Sequence, residues 1–110
     1  MPELACAPAK KSASIADFER KAASAAGLLK LLANENRLLI LCRLATVREM
    51  AVNDMAEAVH LSQSAVSQHL AKMREEGLVG TRRDGQTIYY RRADPNATRL
   101  LALLQDIYCP

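Results

Sequence analysis

The chain has 110 residues, enough for one domain with a modest core, and half of them are apolar, which excludes disorder throughout. Aromatic residues are scarce, with no Trp and one Phe, and Leu and Ala dominate, so helices are favoured over a β-sandwich. A net charge of +3 is too mild to argue for nucleic acid by itself, and three widely spaced cysteines form no disulfide framework.

No apolar run approaches the ~20 residues needed to span a bilayer. The opening MPELACAPAKKSAS lacks the apolar stretch of a secretion signal, so a cytoplasmic protein is expected. Residues 1–14 are small, polar and Pro-containing, and read as a flexible N-terminal tail that holds Cys6. Residues 15–110 read as the folded domain. Ile15, Phe18, Ala22, Ala25, Ala26, Leu29 and Leu32 give a helical period. Asn34 then looks like the N-cap of a second helix, whose centre from Leu38 to Cys42 is apolar almost all round. Cys42 faces or borders the core.

Thr46 to Val52 reads as a connection into a third, short helix from Asn53 to about Val59, with Asn53 as its cap. His60-Leu61 forms a turn. Ser62 to Gly77 then forms a fourth helix, capped by the Ser62 hydroxyl and stopped by a left-handed Gly77. Helix, tight turn, helix is the helix-turn-helix arrangement. Ala65, Val66, Leu70 and Met73 make one apolar stripe on the fourth helix. The opposite face carries Gln63, Ser64, Ser67, Gln68 and Lys72. Those short hydrogen-bonding side chains and one cation suit base edges and phosphates in a major groove. The plainer reading of this stretch alone is a solvated helix face.

After Gly77 the period becomes strand-like. Asp84-Gly85 between β-prone runs predicts a hairpin, and Arg82, Arg83, Arg91 and Arg92 make it basic. A basic hairpin after a reading helix is a wing. Asp94 and Pro95 then start a last helix, with Asp94 as cap. Its Leu100, Leu101, Leu103, Leu104, Ile107 and Tyr108 exceed what a small domain needs for its own core. The excess reads as half of a dimer interface, paired with the Ala-rich first helix. The predicted fold is a mainly α winged helix-turn-helix: five helices with a two-stranded β-hairpin wing, homodimeric.

This order of elements resembles the ArsR/SmtB family of bacterial repressors. LLANENRLLILCRLA resembles the family's second helix, LSQSAVSQHLAKMREEGLV its recognition helix and RRDGQTIYYR its wing. The resemblance covers about residues 16–108. It implies a homodimer that binds a palindromic, double-stranded operator and releases it when an inducer binds. Gln63, Ser64, Ser67 and Gln68 are then expected on base edges. Lys72, Arg82 and Arg83 are expected on phosphate or the minor groove, and His69 is expected as a further DNA contact.

Family members that sense metals carry a Glu-Leu-Cys-Val-Cys-Asp-Leu type motif, or Asp and His ligands on the last helix. The stretch that matches the motif here runs from Glu49 to Met55, with Ala51 and Asn53 at the cysteine positions. Asp94 is followed by Asn96, and no His follows His69. Both sites lack their ligands, so no metal and no other cofactor is expected. The remaining pair, Cys42 and Cys109, resembles that of the persulfide-sensing SqrR/BigR-type branch. The resemblance implies that reactive sulfur species link the two sensor cysteines and that DNA is then released.

Other readings stay open. Cys42 alone reads as a small buried hydrophobe and Cys109 as a frayed end. Cys6 reads as a spectator, or as the third thiol of an arsenic site. The inducer could be arsenic(III), a metal or a general oxidant. A thiol-redox protein is the rival from another class. It lacks a Cys-x-x-Cys, and no His or acid is placed to serve Cys42, so no enzyme activity is expected. A helical dimerisation module without DNA contact is a third reading.

Overall fold

A computed structural model describes residues 14–109. The expected tail, with Cys6, lies outside the described residues except for Ser14. The described residues fall into two units that part between Lys30 and Leu31. Helix α1 spans Ile15–Leu32 and supplies almost all of the first unit. Ser14 caps it: its hydroxyl accepts the Asp17 N–H at 3.1 Å. Ile15, Phe18 and Leu29 of α1 are exposed.

The second unit holds the end of α1 and seven further elements. These are α2 (Glu35–Thr46), β1 (Met50–Ala51), α3 (Val52–Val59), α4 (Gln63–Glu75), β2 (Val79–Asp84), β3 (Thr87–Arg92) and α5 (Pro95–Tyr108). The architecture is a winged helix-turn-helix of five helices and a three-stranded antiparallel sheet.

Asn34 caps α2, its side chain accepting the Arg37 N–H at 3.1 Å. Arg37 itself ties two distant ends together. Its guanidinium donates to the Leu31 carbonyl at 2.9 Å and to Glu76 Oε1 at 3.0 Å. Ile40, Leu41 and Leu44 of α2 are buried, and the core forms where Ile40, Leu44, Met55, Val66, Leu70, Met73 and Leu78 meet. Each such side chain contributes about 1.5–3 kcal/mol on burial. The centre of α2 is apolar almost all round in sequence, yet Leu39 is 42% exposed while Ile40 and Leu41 beside it are buried.

The predicted connection from Thr46 to Val52 contains strand β1. It pairs Met50 with Tyr90 and Ala51 with Tyr89. The sheet order is therefore β1-β3-β2, with three strands where two were predicted. Pairing with β3 carries the chain straight into α3, which starts at Val52. Ala51 takes the cap position with extended backbone and no side-chain bond. Asn53 is thus not the cap but an exposed residue of the first turn.

The wing turn also sits one residue later than the Asp84-Gly85 dipeptide suggests. Asp84 pairs with Thr87, so Gly85 and Gln86 form the two-residue loop. Gly85 has φ 64°, which suits glycine at the first loop position.

Asp94 caps α5, accepting from the Asn96 and Ala97 N–H groups at 2.9 and 3.3 Å, with Pro95 in the first turn. Ala97 and Leu101 are buried, whereas Leu103, Ile107 and Tyr108 are 55%, 57% and 77% exposed. Among the described residues, no helix is long and apolar enough to cross a membrane.

Candidate DNA-reading face and thiol pair

Two local devices aim α4. At the turn, His60 adopts φ 59° and ψ 44°, the left-handed conformation that ends α3. Leu61 N–H then reaches back to the Ala56 carbonyl at 3.1 Å, and Ala56 is buried. Ser62 caps α4, accepting the Ala65 N–H at 3.1 Å. At the far end, Gly77 takes φ 80°. Its N–H bonds to Arg74 O at 3.1 Å and the Leu78 N–H to Met73 O at 2.9 Å, the Schellman pattern. Leu78 is thereby buried and β2 begins.

The faces of α4 divide as its spacing predicts. Val66, Leu70 and Met73 are buried without residual exposure, with Ala65 half-buried beside them. Gln63, Ser64, Ser67, Gln68 and Lys72 are exposed. His69 differs from them: it is half-buried at the border between the two faces. Gln63 and Ser67 line an open cleft of about 360 Å³ together with Asn53 of α3 and Gln86, Thr87, Ile88 and Tyr90 of the wing. The helix start and the wing tip thus border one surface.

The wing arginines are not equivalent. Arg82 Nε donates to the Glu49 carboxylate oxygens at 3.1 and 3.3 Å, and Arg82 Nη2 also contacts Oε1. The same guanidinium lies 4.7 Å from the centroid of the Tyr89 ring. The hydrogen bond from Arg82 holds the Glu49 carboxyl below its ordinary range. Desolvation opposes the shift, and the charges of Arg82, Arg48 and Arg91 add to it. Glu49 in turn raises the Arg82 guanidinium. Arg83 is exposed and, among the described residues, makes no ion pair. Arg91 Nη1 donates to Thr81 O at 3.1 Å, lying across Gly80, where a Cβ would stand 3.4 Å from Arg91 Cζ.

The two candidate sensor cysteines are free thiols on α2 and at the end of α5. Cys42 is half-buried and Cys109 exposed. Gln105 lies between them. Its Nε2 donates to Cys42 Sγ at 3.4 Å, and its carbonyl accepts the Cys109 N–H at 2.7 Å. Ala97, Leu101 and Gln105 follow at intervals of four, so they lie along one side of α5, and Cys109 is its C-cap. The first two are buried, and the third touches α2. Cys109 stands one turn, about 6 Å of helix rise, beyond the residue that touches Cys42. The sequence singled out the thiols but not Gln105, nor the Glu49 partner of Arg82. No local pattern marks either contact, because the partners are 63 and 33 residues apart. Among the described residues, no three His, Cys, Asp or Glu side chains cluster as a metal site would require.

Comparison with known proteins agrees with this geometry. The profile of the bacterial regulatory protein arsR family matches residues 34–81, which span α2 to the start of β2. The chain is 41% identical over 109 residues to the transcriptional activator HlyU of Vibrio cholerae, covering 99% of this chain and 96% of that protein. It is 54% identical over 84 residues to the nodulation protein NolR of Rhizobium meliloti, covering 76% of this chain and 68% of that protein. The crystal structure of the transcriptional repressor BigR from Xylella fastidiosa superposes with a TM-score of 0.80 at 34% identity, over 88% of this chain and 98% of that one. The shared helix-turn-helix and wing, matched over nearly the full length of a relative, make this chain a transcriptional regulator of the arsR family of bacterial regulatory proteins.

Proposed function

We propose that the chain is a homodimeric repressor that releases operator DNA when reactive sulfur links Cys42 to Cys109. The contact between Gln105 and Cys42 carries this reading, because it sets the half-buried thiol of α2 against the turn of α5 that ends at Cys109. The exposed polar face of α4 supports the DNA half of the proposal. Gln63, Ser64, Ser67 and Gln68 take base edges, Lys72 and Arg83 take phosphates, and His69 contacts the DNA at the border of that face. Arg82 reaches DNA only by leaving Glu49. The exposed Leu103, Ile107 and Tyr108 of α5, with Ile15, Phe18 and Leu29 of α1, supply apolar surface for a second copy. Two reading helices related by a two-fold axis require half-sites about one helical turn apart.

The chemistry closes without an outside oxidant when inorganic tetrasulfide is the donor. The Cys42 thiolate attacks an internal sulfur, forming an Sγ–S bond and expelling a two-sulfur anion that takes up the thiol proton. Cys42 now carries two extra sulfurs. The Cys109 thiolate attacks the sulfur bonded to Cys42 Sγ and expels hydrosulfide. The product is a Cys42–S–S–S–Cys109 bridge, with the electrons of the two protein thiols taken by the departing sulfur. A bridge with an inserted sulfur spans more than the roughly 7 Å between Cα atoms allowed to a plain disulfide.

The test is fluorescence anisotropy on a palindromic duplex selected by the reduced protein. Tetrasulfide should release the duplex from the wild type and leave it bound to Cys42→Ser. Release from Cys42→Ser would overturn the dithiol reading. Release by trivalent arsenic but not by tetrasulfide would replace it with a metalloid sensor.

A further inference from the structure

Cys42 has a polar partner in a place where none is needed for folding. A half-buried thiol at the α2–α5 contact is well served by apolar neighbours. Instead α5 turns an amide toward it, Gln105 Nε2 to Sγ at 3.4 Å. Gln105 is half-buried, and its carbonyl holds the backbone N–H of Cys109. That backbone bond is the ordinary closing bond of α5, so the side-chain amide is what links α5 to the Cys42 sulfur.

We propose that Gln105 is a positioning residue for the thiol chemistry: its amide holds the Cys42 sulfur as a nucleophile aimed at α5. This rests on the dithiol reading for its biological consequence, but the contact and its effect on Cys42 reactivity stand apart from it. The thiolate is the attacking species. Hydrogen bonds to an ionised acceptor are the stronger ones, so the amide bond tightens as Cys42 becomes the nucleophile. It also keeps the sulfur on the α5 side, where the second attack must come from. Once sulfur is transferred, Sγ loses its charge and the amide bond weakens.

The test measures alkylation of Cys42 by iodoacetamide in protein carrying Cys6→Ser, with Cys109 as the internal reference. Gln105→Leu removes the donor, and Gln105→Glu keeps the length but offers only acceptors at neutral pH. Both should slow Cys42 alkylation by roughly threefold, because about half of the free energy of a lost hydrogen bond to a thiolate is regained as nucleophilicity, with Cys109 unchanged. A packing role predicts the opposite sign, since loosening α5 exposes a half-buried thiol and speeds its alkylation. Faster or unchanged Cys42 alkylation in both variants overturns the proposal. Because iodoacetamide is not a sulfur donor, this readout is independent of whether tetrasulfide releases DNA. If the wild type ignores tetrasulfide yet both variants slow alkylation, the inducer reading fails and the positioning role stands.

Discussion

Gln105 Nε2 donates to Cys42 Sγ at 3.4 Å, joining the last turns of α5 to the middle of α2 across 63 residues of sequence. The relationship makes the two thiols chemically distinct, since Cys42 is half-buried and bonded while Cys109 is exposed. Limited treatment of the reduced protein with a bulky maleimide should therefore label Cys109 before Cys42, as read by peptide mass spectrometry. Equal labelling would mean that α5 does not shield Cys42 in solution.

Gln68→Ala should separate base reading from charge attraction. A side chain that reads a base edge contributes about 1–3 kcal/mol of discrimination, whereas background binding follows phosphate contacts and salt. The variant is expected to lose affinity for the selected palindrome while keeping the wild-type affinity and salt slope on random duplex. An equal loss on both duplexes would show that this face of α4 contacts DNA without reading it.

Glu49→Gln tests what Arg82 does. In the free protein Arg82 is bound to Glu49, so a phosphate must compete with a carboxylate. Removing that carboxylate charge should tighten binding to random duplex and steepen its salt dependence by up to about one phosphate contact. An unchanged slope would assign Arg82 to the wing's own structure. The pH dependence has a definite sign. The folded carboxyl lies below its ordinary range, so the pair's contribution is present above the unfolded value, about 4.3, and is lost as pH falls through the lowered folded value. DNA binding should therefore show no Glu49-dependent change between about pH 5 and 8, above the ordinary carboxylate range.

Ile107→Glu places a charge in the exposed apolar stretch of α5 without touching the buried Ala97 and Leu101. If a second copy covers that stretch, sedimentation should shift from dimer to monomer. Affinity for the palindrome should then fall far more than affinity for a single half-site. A variant that remains dimeric would place the interface elsewhere.

The local signals of the fold were legible in the sequence because they are short-range. Asn34, Ser62 and Asp94 cap their helices as read, and Gly77 takes the left-handed conformation its position predicts. The Val66, Leu70 and Met73 stripe is buried as its spacing requires. What escaped was set by partners far along the chain. Strand β1 is two residues long and exists only through pairing with Tyr89 and Tyr90. That pairing, and not the amide-bearing Asn53, decides where α3 begins. The wing turn moved by one residue because Asp84 is held in the ladder opposite Thr87. At the candidate site, the outward side chains of α4 and the thiols were visible from residue type. The restraints on them, Glu49 on Arg82 and Gln105 on Cys42, come from tertiary packing and leave no periodic mark.

The coupling of thiol linkage to DNA release is measured most directly by following both on the same samples. Tetrasulfide is titrated into the protein–palindrome complex, with intact and peptide mass spectrometry run beside anisotropy at each point. The expected result is a bridge joining Cys42 to Cys109, heavier than the dithiol by one sulfur less two hydrogens, whose fraction rises in step with the fraction of DNA released. DNA release that runs ahead of the bridge, or a fully bridged protein that still holds its palindrome, would contradict the account.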